Sequence, residues 1–425
     1  MSKSIITGIL IALLFLSGCT RMPSALRGDW NQKQKSEFIH ILESDRYSSI
    51  CGLDPLYNQY KTTKYNRILT ELLVRYTKNL SDGCIDISSF RASQEDKKSK
   101  KIETHYALYL EKADRDRIIL QLQSGLSIDS IMAPYVPKTP QFERLIRHYN
   151  ALKANEGVTS EKARKVKLNI ERTKLMSSTG WDTYVLINVP QYQFRFFESG
   201  IKIMEFGVVV GKYTWQTPIF TSNLKYIVVN PTWNVPDNIA RQEIIPHYLR
   251  NQNYLKQKNM VVRRDYNIDS EPVDPGSVNW NKYLTAEYKT KSIPYKFIER
   301  SSAGNALGRV KFMFPNRFSV YMHDTNNKKL FNYNTPAKRF QSHGCIRLAQ
   351  PKDLLKHFGE TYAAIPYSEV VEKYNSRKMY HIDLNQDIRV HVTYLTAYVR
   401  EDGTLYFFGD QYGYDKTQKL EPGIR

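Results

Sequence analysis

The sequence predicts an α+β chain: a helical N-terminal scaffold domain, then a mostly-β domain with an inserted cap subdomain. Three observations predict it. Up to about residue 178 the apolar residues recur at helical spacing. Around Gly180 the period drops to two, the signature of strands. Between Asn238 and Ala303 that alternation stops and prolines accumulate, at Pro246, Pro272, Pro275 and Pro294. The expected boundaries are 20–180 for the scaffold, 181–425 for the β domain and 238–303 for the cap. A chain of 425 residues that is 41% hydrophobic is long enough for two domains and a sizeable core.

Residues 1–19 read as a targeting segment. Lys3 supplies a positive start, and Ile5 to Leu16 is an apolar run shorter than the ~20 residues of a membrane span. It ends in Leu16-Ser17-Gly18-Cys19, which resembles a bacterial lipobox, in which cleavage precedes the Cys and its thiol is lipidated. Ordinary signal cleavage or an uncleaved anchor are the alternatives. Thr20 stands where an Asp would direct inner-membrane retention, so the expected location is the periplasm, lipid-anchored, at the outer rather than the inner membrane. Residues 20–35 are polar and read as a tether.

In the scaffold, Leu69, Leu72, Leu73 and Tyr76 share one helical face. Phe142, Leu145, Ile146, Tyr149 and Leu152 form a second stripe, started by Thr139-Pro140 as an N-cap with proline in the first turn. Residues 160–176 read as a charged helix. Cys51 and Cys84 lie in this domain; in an oxidising compartment they can form a disulfide, and otherwise they are two small buried residues.

In the β domain, Tyr184 to Val189 and Tyr192 to Phe196 read as strands, and Glu198-Ser199-Gly200 turns the chain into Ile201 to Val210. Further strands are expected at Lys225 to Val229, Arg309 to Phe314, Phe318 to Met322, Arg389 to Arg400 and Thr404 to Phe408, the last two flanking the hairpin signal Asp402-Gly403. One helix, Pro351 to Phe358, is expected to close at Gly359. The cap at 238–303 is too long for a simple loop in a compact domain. It reads as a lid beside a site, with a decorative surface insertion as the alternative.

The net charge of +20 suits an anionic partner: nucleic acid, a membrane surface or an acidic polymer such as cell wall. No basic run is long or aromatic-interleaved enough for nucleic acid, and Lys97-Lys98-Ser99-Lys100-Lys101 reads as a solvated loop. The 30 Tyr and 18 Phe suit a β-rich fold and a groove lined for sugar or peptide.

Chemistry concentrates in Phe340-Gln341-Ser342-His343-Gly344-Cys345-Ile346-Arg347-Leu348, with a second histidine upstream in Val320-Tyr321-Met322-His323-Asp324-Thr325. A cysteine attacks as its thiolate, and a free thiol pKa of about 8.5 leaves little of it at neutral pH. A neighbouring imidazole can take the proton. Gly344 permits close backbone approach, and N–H groups there can hold an oxyanion. His343 and Cys345 are two apart and share a strand face, so either histidine can serve as base on spacing alone.

The pattern Ser-His-Gly-Cys-x-Arg with the upstream histidine resembles the L,D-transpeptidase (YkuD-type) family. Thr217-Pro218-Ile219-Phe220, Asn230 to Pro236, Gly304 to Gly308 with Lys311-Phe312, Phe314-Pro315-Asn316 and Tyr394 to Tyr398 resemble its large periplasmic YcbB-type branch. Two departures stand out: no peptidoglycan-binding domain is inserted around Asn155-Glu156-Gly157, and Asn326 replaces a common proline. The resemblance implies that Cys345 is the nucleophile, His323 the base, and the Asp324 backbone carbonyl the group that orients the imidazole. It implies an oxyanion held by the Cys345 N–H with Gly344 or the Tyr321 hydroxyl. His343 is then a packing and hydrogen-bonding partner, and Ser342 lies in the substrate-binding loop. Arg347 either holds a substrate carboxylate or braces the loop, and Trp233 is either a groove wall or core.

The implied substrates are peptidoglycan stem peptides as donor and acceptor, with no metal, no cofactor and no nucleic acid, and the implied inhibitors are carbapenems. The acceptor stays open: a second stem, water in an L,D-carboxypeptidase, or a lipoprotein lysine. A papain-like protease lacks its sequence context here, and a non-catalytic wall-binding lipoprotein would not need both Cys345 and His323.

Overall fold

A computed structural model describes residues 29–111, 113–332 and 336–420. The leader at 1–19, with Cys19, lies outside the described residues. Among the described residues no helix is long and apolar enough to cross a membrane.

The first region is helical, from Gln32–Ser44 to Glu161–Lys174. Local chemistry starts its helices. Asn31 and Gln34 form a reciprocal capping box, with Asn31 Oδ1 accepting from Gln34 N at 2.8 Å. Asp86, Asp114, Ser127, Thr139 and Ser160 cap five later helices. The predicted stripes meet in one core, where Leu69, Leu72, Leu73, Tyr76, Phe142 and Leu145 are fully buried. A disulfide joins Cys51 and Cys84, with Cα atoms 6.0 Å apart.

The helical pattern is interrupted where the sequence reading ran on. Residues 102–110 are extended and lie along the β domain: Glu103 N donates to Thr214 O, Gln216 N to Glu103 O, and Ala107 N to Ile219 O. The reason is nonlocal, since the backbone groups of this strap are satisfied by another segment and not by their own turn.

Fourteen strands follow: β1 (Tyr184–Asn188), β2 (Gln193–Glu198), β3 (Ile201–Gly211), β4 (Phe220–Val229), β5 (Trp233–Asn234), β6 (Met260–Arg263), β7 (Lys296–Glu299), β8 (Val310–Met313), β9 (Met322–His323), β10 (Phe340–Ser342), β11 (Ile346–Leu348), β12 (Tyr380–Thr393), β13 (Ala397–Val399) and β14 (Leu405–Phe407). The main sheet runs β10-β3-β11-β9-β8-β4-β12-β1-β2, and an added β2–β3 pairing closes it on itself. Its inner face holds Val185, Ile187, Phe194, Phe206, Val208, Phe312, Met322, Ile346 and Leu348.

Three expectations are corrected. The strand expected over Phe318 to Met322 is only Met322–His323, because Asn316 bonds across a tight turn, with its Nδ2 donating to Val320 O at 2.7 Å. The strand expected over Arg389 to Arg400 begins earlier, at Tyr380, and breaks after Thr393, where Asn188 Oδ1 takes the Leu395 N–H at 2.8 Å. Gly359 does not close its helix, which runs Pro351–Thr361. Gly359 is buried inside it, and a Cβ there would come within 2.8 Å of Tyr367, so the glycine serves close helix packing.

The β13–β14 hairpin, turning at Asp402-Gly403 as its sequence predicts, ties the two regions together. Gln141 acts as a strand edge for it, donating to Val399 O at 2.8 Å and accepting from Val399 N at 2.9 Å. The segment between β5 and β7 has its own small sheet, β5-β7-β6, and its own core around Ile244, Ile245, Trp280, Ile293 and Phe297.

Candidate active site

Register builds the site. β9 pairs in parallel with β11, matching Met322 to Ile346 and His323 to Arg347, and antiparallel with β8, matching His323 to Lys311. Paired side chains share a face and alternate along the strand. Val310, Phe312, Met322 and Ile346 therefore enter the core. Lys311, His323 and Arg347 form a row on the other face, with Tyr321 and Cys345 two positions back. That face floors an open groove of about 840 Å³, walled on the far side by Asn238, Ile239, Glu243, Tyr254 and Tyr266 of the inserted segment.

The loop that presents Cys345 is shaped by two polar side chains. Ser342 Oγ donates to Cys345 O at 2.6 Å and accepts from Gly344 N at 3.2 Å. Thr217 Oγ1 donates to Gly344 O at 2.8 Å and accepts from Gly211 N at 2.9 Å. Gly344 has φ +106°, where a side chain would be strained. Of the expected oxyanion donors, the Gly344 N–H is thus already engaged by Ser342. The Cys345 N–H is engaged by no described residue, and the Tyr321 side chain hydrogen-bonds toward Cys345.

The two histidines are distinguished by their partners. His323 is buried, and its Nδ1 lies 2.5 Å from Asp324 O. A carbonyl can only accept, so Nδ1 carries the hydrogen and Nε2 keeps its lone pair, the tautomer a general base needs. Asp324 is held in turn: its carboxylate accepts from Arg309 N at 2.9 Å, from Thr325 N at 2.7 Å and from Lys328. His343 instead faces the inserted segment, with Nε2 2.8 Å from Glu243 Oε1 and its ring edge-on to Trp215. Glu243 sits in a π-helical turn, Ala240–Ile244, an uncommon element enriched at functional sites.

Electrostatics keep the resting pair neutral. Burial, with Arg347, Lys311 and Lys328 adding to it, pushes the His323 imidazole down to about 3. Burial raises the Cys345 thiol, against the pull of Tyr321, Arg347 and Lys311. A thiolate–imidazolium pair is therefore disfavoured, and the His323 imidazole stands unprotonated throughout the neutral range.

Trp233 is half-buried and lines the groove while packing on the inserted segment's core. Arg347 also lines the groove, and its Nε is buried without a hydrogen-bond partner. The sequence reading did not place Lys311, Glu243 or Thr217 in the site. For Lys311 a signal existed: it alternates with the core residues Val310 and Phe312. For Glu243 and Thr217 nothing local marks the contact.

The family model for the L,D-transpeptidase (YkuD) catalytic domain matches residues 182–371. A Haemophilus influenzae protein provisionally named an L,D-transpeptidase is 25% identical over 363 residues, covering 84% of this chain and 67% of that protein. Among solved structures, a mutant L,D-transpeptidase of Enterococcus faecium is 12% identical, covers 52% of this chain and 51% of its own, and superposes with a TM-score of 0.20. The Ldtfm-avibactam carbamoyl enzyme is 11% identical, covers 71% and 98%, and reaches 0.24. At those scores the two structures add nothing to the family match. Residues 182–371 are an L,D-transpeptidase catalytic domain of the YkuD type.

Proposed function

We propose that this chain is a peptidoglycan L,D-transpeptidase that uses Cys345 as nucleophile to make 3-3 cross-links. The observation that supports this most is the placement of His323 on β9 and of Cys345 in the loop that leads directly into the paired strand β11, both lining one groove. In the proposed reaction Cys345 Sγ attacks the carbonyl between diaminopimelate and the terminal D-Ala of a tetrapeptide stem. Its proton passes to His323 Nε2 as the S–C bond forms, since the resting pair is neutral. The Cys345 N–H and the Tyr321 hydroxyl face the developing oxyanion. The C–N bond breaks, the imidazolium returns the proton to the leaving amine, and the acyl-enzyme remains. An amine of a second stem then attacks the thioester carbonyl and gives its proton to His323; the new C–N bond forms, the S–C bond breaks, and the imidazolium returns the proton to the Cys345 sulfur. Lipidation at Cys19 would tether this reaction to the periplasmic side of a membrane, next to its wall substrate.

Incubating purified protein with disaccharide-tetrapeptide and reading the products by mass spectrometry tests the reading. Dimers joined through two diaminopimelate residues are expected. Tripeptide alone would show that water is the acceptor, and loss-free turnover by Cys345→Ala would sink the mechanism.

A further inference from the structure

The row Lys311, His323, Arg347 carries two cations on the face that holds the nucleophile, and among the described residues neither forms an ion pair. Among the described residues no hydrogen bond or ion pair engages the Lys311 ammonium, which rests 5.5 Å from the centre of the Tyr321 ring. Arg347 Nε is buried without a partner. Among the described residues the carboxylate that acts on Arg347 is that of Glu243, which lies 2.8 Å from His343. Burial lowers Lys311, and both cations act on the charge of Cys345. Two partly buried cations beside a nucleophile, with no ion pair of their own among the described residues, make a site for a charged group of the substrate.

Covalent geometry says which group. In the donor, the carboxylate of the leaving residue lies only two bonds beyond the amide nitrogen, about 4–5 Å from the carbonyl carbon under attack. When that carbon sits on Cys345 Sγ, the terminal carboxylate is within reach of the row.

Resting on the function proposed above, we propose that Lys311 is a specificity-determining residue: with Arg347 it receives the free terminal carboxylate of the leaving amino acid. The acyl donor must then end in a carboxylate, and a stem whose chain continues past that residue, or ends in an amide, is refused. The step is the same acyl transfer. The S–C bond forms, the C–N bond breaks, the thiol proton leaves with the amine, and the carboxylate departs unchanged with the free amino acid.

Three donors of one sequence test it: one with both the terminal and the diaminopimelate side carboxylates free, one with the terminal carboxylate amidated, and one with only the side carboxylate amidated. Acylation of Cys345 is followed by intact mass. In the wild type, terminal amidation is expected to lower kcat/KM about 10–100-fold, the range for losing hydrogen bonds to a charged group. Lys311→Met is expected to lose about as much on the acid donor, mainly in KM, and to shrink the acid-to-amide ratio to within about threefold. Lys311→Arg, which keeps the charge, is expected to restore most of that ratio. Alkylation of Cys345 by iodoacetamide as a function of pH reports the thiol alone. If Lys311→Met slows both donors equally and shifts that profile, the lysine serves the sulfur and the proposal is overturned. It is equally overturned if the discrimination follows the side carboxylate. Wild-type protein that is acylated by none of the three donors would refute the transpeptidase reading itself. A thermal unfolding midpoint checks that Lys311→Met is folded, and Lys311→Gln repeats the comparison if it is not.

Discussion

In the helical scaffold, Lys167 and Lys174 are buried against Glu171, each ammonium 3.0 Å from its Oε1. Their remaining donors reach Ser48 O at 2.7 and 2.8 Å, and the second carboxylate oxygen accepts from Cys84 N at 2.8 Å. Burial alone would raise the Glu171 carboxyl, yet the two ammoniums hold it below its usual range, while Lys174 is pushed down to about 8 by burial. In the groove, Lys311 and Arg347 are only partly buried, and among the described residues the Lys311 ammonium and Arg347 Nε are left without hydrogen-bond partners. The contrast separates two uses of buried charge. A charge that only holds the fold together is satisfied inside the molecule; one kept for a substrate is left unsatisfied until the substrate arrives.

The comparison breaks most visibly at the nucleophile. Cys345→Ala is expected to abolish the mass adduct formed with stem peptide or with meropenem, while the unfolding midpoint stays within a few degrees. An adduct that persists in the variant would refute the assignment.

Next comes the base. His323→Ala is expected to slow acylation about 10²–10⁴-fold at neutral pH. Its rate is expected to recover as pH rises toward about 8.5, where hydroxide makes the thiolate. His343→Ala, whose ring meets Glu243 and Trp215, is expected to lose less and to show no such recovery; the reverse result would exchange their roles. Because His323 gains its proton only as pH falls through about 3, wild-type kcat/KM is expected to show no loss near 6.5 on the acid side. A titration there would mean that the imidazole is not buried as described.

The scaffold cluster is expected to answer in stability and not in rate. Glu171→Gln leaves two ammoniums without their shared carboxylate and is expected to cost about 3–5 kcal/mol. Urea unfolding measures that loss, and acylation per folded molecule is expected to be unchanged. A change in rate with unchanged stability would erase the distinction between the two regions.

The smallest effect is in acid. His323, and His391, held down to about 4 mainly by burial, are neutral in the folded chain. The unfolded chain binds those protons from about 6.5 downward, so stability is full above that pH and falls below it. By pH 5 the loss is up to about 2 kcal/mol per histidine. Urea midpoints at pH 7 and pH 5 test the sign, and a rise in stability on acidification would contradict it.

Much of the fold was legible because its signals are local. The stripe from Phe142 to Tyr149, the turn at Ser199-Gly200 and the Asp402-Gly403 hairpin each follow from a few adjacent residues. The strap at 102–110 was not legible, because its hydrogen bonds belong to residues 214–219. Gly359 misled for a related reason: a glycine near a helix end usually closes it, but here the absence of a side chain admits Tyr367. In the site, Cys345 and His323 stood out by residue type and motif, whereas Glu243 reaches His343 across 100 positions with nothing in its neighbourhood to mark it.

The sequence by itself determined the chemistry available to this protein: one thiol in a Ser-His-Gly-Cys-x-Arg loop, two histidines, and strands whose alternation sends Val310, Phe312 and Met322 to one face and Lys311 and His323 to the other. The tertiary structure decided which of these meet. Period-two alternation specifies a face but not a neighbour, and neighbours come from strand register, which pairs residue 323 with 311 on one side and 347 on the other. That pairing set His323 beside the cations, while the fold of the inserted segment brought Glu243 to His343. The same pairing left Lys311 facing the groove, with no ion pair among the described residues.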